Sequence, residues 1–228
     1  MMILSIDTAG RSDAIGLIDG RRVLADFVGD VTHNSLQGII MNIDAVLSNA
    51  GLTLADVDGL GVGIGPGSWT GVRVGITVGK MMAYATGKPL CGVSSLDALA
   101  SQAGDASTLI CSVVDAGRGN IYAGFYRRRG GVTVKQGQYT AGPVEGLVAR
   151  IREPVLFVGD AAQVHRQTIS ALLGDLARFM KAGEERQGSA TALLALSRLE
   201  RGESDDALSL VPLYLKEPLV QALAARKR

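Results

Sequence analysis

The sequence predicts an α/β fold of two lobes, and three observations carry the prediction. Apolar runs of strand length alternate with longer runs of helical period. The order of these runs restarts near residue 105 of the 228. A short motif recurs at the restart: Ser5-Ile6-Asp7-Thr8-Ala9-Gly10-Arg11 lies over Ser112-Val113-Val114-Asp115-Ala116-Gly117-Arg118 at one offset, matching at Ser, Ala, Gly and Arg.

The elements follow in order. "MILSID" (2–7) begins a strand, "DAIGLI" (13–18) and "RVLADFV" (22–28) continue it, and Asp19-Gly20 between the last two is a hairpin signal. Residues 34–51 read as a helix, with Leu36, Ile39, Ile40, Ile43, Val46 and Leu47 at helical spacing and Gly51 as its stop. "VDGLGVGIG" (57–65) is a buried strand, 70–86 a second helix ended by Gly87, "PLCGVS" (89–94) a strand and "SLDALASQA" a short helix. The second round gives strands at 108–117, 120–126 and 131–139, a helix at 143–152, a strand at 154–160, and helices at 161–173 and 189–201.

Two rounds of the order βββαβα predict the duplicated, two-lobed ribonuclease-H-like architecture of actin, sugar kinases and Hsp70 chaperones, by analogy of topology. The expected lobes are 1–104 and 105–228, with the late helix able to return to the first. Bulk composition excludes several function classes. The net charge of +1 offers no electrostatic grip on nucleic acid for the chain alone. Cys91 and Cys111 lack metal-ligand spacing and read as buried thiols of a reducing compartment. The N-terminus enters a strand at once, and no apolar run reaches the length of a membrane span, so a cytoplasmic protein without a leader is expected.

In that architecture the first hairpin turn of each lobe faces the cleft. Asp7, Thr8 and Ser12 from the first, with Asp115, Gly117 and Asn120 from the second, are candidates to hold ATP or ADP with magnesium. Asp at a turn also satisfies backbone in its own right, so these residues stand equally as turn formers. Two histidines exclude a multi-histidine metal site, and no G-x-S-x-G elbow is present.

"GIGPGSWTGVRVGITVGK" (63–80) looks at first like a phosphate loop. Gly67 and Gly71 are too close for G-x-x-x-x-G-K-[ST], and Gly63-Ile64-Gly65-Pro66-Gly67 misses G-x-G-x-x-G. Gly71, Gly75, Gly79 and Ala83 instead recur every four residues on one helix face. Glycine costs a helix about 1 kcal/mol relative to alanine, so three of them need an offset of roughly 3 kcal/mol from close backbone packing. The first helix carries a weakly polar outer side at Gly38, Met41 and Ala45. His33 at its start, these three residues, Arg73 and the small-residue face of the second helix are therefore the candidate partner surface.

"ILSIDTA", the His33-Asn34-Ser35 helix start, "GIGPGSWTGVRVGI", "PLCGVSSLDALA", "VVDAGRGNIYAGFY" and "PLYLKEP" stand in the order and spacing of the bacterial TsaB (YeaZ) family, which the chain resembles over nearly its whole length. The resemblance implies a non-catalytic subunit in making N6-threonylcarbamoyladenosine (t6A) beside the tRNA anticodon. It implies pairing with a TsaD-like catalytic subunit, a TsaE-like ATPase alongside, tRNA reached only through the complex, and homodimers without the partner. TsaD-like proteins bind metal through a V-N-H-x-x-x-H pattern. Here Ser95 and Leu99 occupy the two histidine positions, so no metal ligand and no catalytic residue is assigned. The alternatives are a stand-alone actin-like ATPase or phosphotransferase using Asp7 and Asp115, and, more weakly, a glycoprotease-like peptidase. The tail 219–228 receives no role.

Overall fold

The hairpin signalled at Asp19-Gly20 forms, with Asp19 paired to Arg22 across the two-residue loop Gly20-Arg21 and Gly20 at φ +55°. It joins β2 (Ser12–Asp19) to β3 (Arg22–Asp30), and β2 lies antiparallel to β1 (Met2–Asp7). The computed structural model describes residues 1–30, 36–104, 107–181 and 187–215. After α1 (Leu36–Asn49) comes β4 (Gly59–Gly63), parallel to β1; after α2 (Trp69–Thr86) comes β5 (Leu90–Val93), parallel to β4. The sheet order is β3-β2-β1-β4-β5.

The second lobe repeats this order. A short helix, α3 (Ser95–Ser101), leads to β6 (Leu109–Gly117), β7 (Asn120–Arg129) and β8 (Val132–Lys135). Then follow β9 (Thr140–Pro143), α4 (Val144–Val148), β10 (Val155–Val158), α5 (Asp160–Val164), α6 (Arg166–Leu173) and β11 (Ala177–Phe179). The path β8-β7-β6-β10-β11 is the first sheet's path again, and β9 adds a pairing to β7. Ser5 and Ser112, the heads of the repeated motif, are both fully buried, and each sits opposite a glycine, Gly16 and Gly124.

Two expectations differ in detail, and one strand was not foreseen. The strand expected over 131–139 ends at Lys135, because Gly137 turns the chain at φ +77°, and β9 begins only at Thr140. The helix expected at 161–173 breaks at His165, whose φ of −99° and ψ of 12° leave helical geometry. The strand β11 is three residues long, too short to show a period.

Side chains of β1 alternate between the faces of the first sheet. Leu4 and Ile6 pack under α1 and α2, while Ile3 packs with Cys91 and Val93 under α7 (Gln187–Leu199). The late helix thus closes the far side of the first lobe. Its approach depends on glycine: a Cβ on Gly16 would stand 2.3 Å from the carbonyl carbon of Gly188. The lobes are tied through α3, where Asp97 Oδ1 accepts hydrogen bonds from Tyr126 Oη (2.8 Å) and Tyr139 Oη (2.7 Å). Burial holds both phenols well above the ordinary tyrosine range, so they stay protonated donors. The segment after α7 returns along α2: Lys80 Nζ donates to the carbonyls of Leu208 (2.9 Å) and Leu210 (3.2 Å), and Leu213 N donates to Ile64 O (2.8 Å).

Candidate functional site

The β1–β2 and β6–β7 turns open onto a cleft of about 730 Å³ between the lobes. Ser12, Asp115 and Gly117 line it, joined by Arg11, Trp69 and Asp160. The sequence reading had placed Asp7 and Thr8 here as well, and the structure corrects both. Thr8 is 1% exposed and donates to Gly71 O at 2.6 Å, beneath α2. Asp7 is also 1% exposed and committed: Oδ1 accepts from Ala9 N (3.0 Å) and Ser95 Oγ (3.1 Å), and Oδ2 from Gln187 Nε2 (2.9 Å). A carboxylate enclosed in this way is a hub that fixes the ends of β1, α3 and α7.

Ser95 is one of the two positions where the TsaD pattern has histidine, and here its hydroxyl serves Asp7. Leu99, the other, is a buried core side chain. Among the described residues no group of three or more His, Cys, Asp or Glu is placed to hold a metal ion. That description does not extend to His33, which lies outside the described residues.

Desolvation raises the Asp7 carboxyl above its ordinary 3.8, more than the hydrogen bonds from Ala9, Gln187 and Ser95 lower it. The folded chain therefore binds this proton more tightly than the unfolded chain. The ionised group weighs against the fold above its folded-state pKa, and that penalty is relieved as pH falls through it. Asp7→Asn removes the dependence. In urea titrations the midpoint difference, wild type minus variant, is expected to move toward the wild type between pH 7 and pH 4; a constant difference contradicts the assignment.

Asp160, at the start of α5, escaped the sequence reading because nothing in "FVGDAA" sets it apart from a turn residue. Its Oδ1 accepts from Ala161 N (2.6 Å) and its Oδ2 from Arg11 N (3.2 Å), so it latches the first lobe's hairpin to the second lobe. Burial chiefly, with the nearby Asp115 carboxylate, raises its proton affinity. Asp115 Oδ1 accepts from Gly117 N at 2.8 Å, a turn-closing bond. Arg118 follows at φ +55°, between two glycines also at positive φ, and Asn120 Nδ2 donates to its carbonyl.

The helical surface divides differently from its sequence reading. Gly71, Gly75, Gly79 and Ala83 are buried, and face the chain's own first sheet. A Cβ on Gly71 would stand 2.1 Å from Thr8 O, one on Gly75 2.3 Å from Thr8 Oγ1, and one on Gly79 3.3 Å from Val62 Cβ. The close packing that offsets their helix penalty is therefore internal, and these four positions are withdrawn from the partner surface. Arg73, Met41 and Ala45 are exposed as expected, and Gly38 is half-buried. Leu36 and Ile40, which the helical spacing assigned to the core, are 40% and 45% exposed. Ile40 and Met81 line a groove of about 320 Å³ between α1 and α2, with Ile43, Leu47 and Val78 also lining it, and Met41 and Tyr84 are exposed on the same two helices.

Two lobes of one strand order, packed around a cleft between paired hairpin turns, define the actin-like, ribonuclease-H-like class. Component A of the (R)-2-hydroxyglutaryl-CoA dehydratase of Acidaminococcus fermentans shares this fold at a TM-score of 0.56 and 12% identity, over 88% of this chain and 99% of that one. YeaZ from Pseudomonas aeruginosa superposes at 0.76 and 24% identity, over 94% of this chain and 99% of its own. A family model described as "TsaD: tRNA N6-adenosine threonylcarbamoyltransferase" matches residues 30–222. The Bacillus subtilis (strain 168) protein described as "tRNA threonylcarbamoyladenosine biosynthesis protein TsaB" is 31% identical over 220 residues, 95% of this chain and 94% of that protein. The chain belongs to the TsaB family.

Proposed function

We propose that the chain is the non-catalytic scaffold subunit in t6A synthesis on tRNA. It docks a related TsaD-type catalytic subunit through α1 and the outer side of α2. A TsaE-type ATPase joins the pair, tRNA is engaged only by the assembled complex, and a second copy takes the docking face when the partner is missing. The observation that carries this reading is the exposure of Ile40 and Met81 along the α1–α2 groove, with Met41 and Tyr84 exposed on the same helices. Large apolar side chains exposed side by side on two adjacent helices are a recognised mark of a protein interface. The enclosure of Asp7 supports the assignment of chemistry to the partner, since this carboxylate is occupied within its own chain. No helix among the described residues is long and apolar enough to cross a membrane, in keeping with a cytoplasmic site of action.

The test is mass spectrometry of bulk tRNA from cells depleted of this protein. Threonylcarbamoylated adenosine is expected to fall several-fold and to recover on re-expression. An unchanged level rejects the reading.

For the cleft we propose ATP or ADP with magnesium as the ligand. Ser12, the Asp115 carboxylate and the turn at Gly117 line a space of nucleotide size. Two carboxylates, Asp115 and Asp160, repel a bare phosphate, so magnesium would be needed to join them, held from Asp115. The ion would supply charge neutralisation; the chain's residues bind and orient. Calorimetric titration of the purified chain with ADP and magnesium is expected to give saturable heat.

A further inference from the structure

The balance of +1 over the whole chain hides an uneven distribution of charge. Residues 116–152 hold seven of its 23 lysines and arginines but only one, Glu145, of its 22 aspartates and glutamates. That stretch, from the β6–β7 turn to just past α4, carries +6, and the rest of the chain carries −5. Such segregation is the electrostatic mark of a surface for a polyanion.

Five of the seven cations gather at one end of the second sheet. Arg127, Arg128 and Arg129 close β7, and Lys135, paired to Tyr126, ends β8. Arg152 stands next in the chain to Glu153, whose carboxylate accepts from Arg127 Nη2 at 2.6 and 2.7 Å. Strand alternation sends Arg127 and Arg129 to the face that carries Phe125, and Arg128 to the face of Tyr126 with Lys135, so the charge wraps the strand end. Arg127 and Arg128 are half-buried and engaged within the chain. Arg129, Lys135 and Arg152 are exposed.

The chemistry of the group narrows the partner. Six of the seven cations are arginines. A guanidinium meets phosphate oxygens through paired donors in a fixed fork, where an ammonium offers a point charge. A surface built for lipid places its cations along an amphipathic helix with a bulky apolar face. Here they stand on strand ends and in a loop, beside the small side chains of Val132 and Val134. An RNA strand supplies a row of phosphates, and cations that neutralise them release its counterions.

We infer that the arginine-rich end of the second sheet contacts the phosphate backbone of the tRNA in the assembled complex. The inference rests on the t6A reading and adds to it a place on this chain. The docking helices α1 and α2 belong to the first lobe, so tRNA on this end of the second leaves them to the partner. Three exposed cations are too few to hold tRNA alone, in keeping with engagement by the complex.

The test uses the complex of the full chain with its TsaD-type subunit and an unmodified tRNA transcript, titrated at several salt concentrations. The variant Arg129→Glu, Lys135→Glu, Arg152→Glu is expected to bind tRNA at least about tenfold more weakly and with a shallower dependence on salt, since each phosphate contact contributes about 0.7–0.9 to the logarithmic slope. Its affinity for the TsaD-type subunit and its melting temperature are expected to hold. If the triple variant melts early, the neutral pair Arg129→Gln, Lys135→Gln is read in its place, with a loss of about threefold or more expected. Unchanged tRNA affinity and slope in a variant that folds and pairs overturn the surface and leave the scaffold reading standing. The same result with binding to phosphatidylserine vesicles lost gives the surface to a membrane and overturns the inference equally. A wild-type complex that binds no tRNA at low salt overturns both readings.

Discussion

Gly75→Leu is expected to destabilise the chain by about 3 kcal/mol or more, the upper range for overpacking a filled site. The first atom added would already stand 2.3 Å from Thr8 Oγ1, with the rest of the side chain driven toward β1. Thr8 cannot retreat freely, because its hydroxyl is bonded to Gly71 O at 2.6 Å and its side chain is buried. Leucine recovers less than about 1 kcal/mol of helix propensity, too little to compensate. For a chain of this size the loss lowers the melting temperature by about 6–12 °C. Gly79→Ala is the control on the same helix face, where the added Cβ meets Val62 Cβ at 3.3 Å. There the propensity gain and a slight crowding nearly cancel, and stability is expected to stay within about 1 kcal/mol. A Gly75→Leu chain that melts with the wild type would mean that the face is open to solvent, and would return it to the partner surface.

The double variant Ile40→Asp, Met81→Asp is expected to behave in the opposite way. Both side chains are about half exposed, at 45% and 50%, so their loss changes the isolated chain little. Surface changes of this kind cost within about 0.5 kcal/mol each. At a docked interface the same charges would be desolvated against apolar surface, and central contacts there are worth about 2 kcal/mol or more. Binding to the TsaD-type subunit is expected to weaken at least about 30-fold, read by titration or by loss of co-elution, while the melting temperature holds. Unchanged binding with an intact fold would sink the docking assignment for α1 and α2. The pair of experiments separates the two sides of one helix by opposite readouts.

Much of the fold was legible because the signals were local. Asp19-Gly20 marks a hairpin through backbone chemistry confined to two residues. The recurrence of Ser, Ala, Gly and Arg from Ser5 and from Ser112 marks the duplication, and both motifs begin from a buried strand residue opposite a glycine. The cleft was legible in part. Ser12, Asp115 and Gly117 line it, since turns at the ends of central strands reach the surface between lobes. Asp7 escaped that logic because Ser95 and Gln187 close over it, and Gln187 is 180 residues distant. Trp69 stood in its motif without a reading of its own, because its surroundings depend on Tyr214, whose arrival beside it is a matter of chain path. Asp160 was missed for the same reason, its partner Arg11 belonging to the other lobe.

The sequence by itself determined the alternation of strands and helices and the repeat of the lobe. Each of these is a property of residue type at short range. Only the tertiary structure decided which side of α2 faces outward. An amphipathic period names the apolar side of a helix, but α2 is apolar almost all round, so periodicity leaves two sides equivalent. Four small residues in a row permit close approach without stating by what. Thr8 and Val62 of the chain's own sheet occupy that space, and the bulky exposed side chains Met81 and Tyr84, proposed above for the partner, lie on the other side.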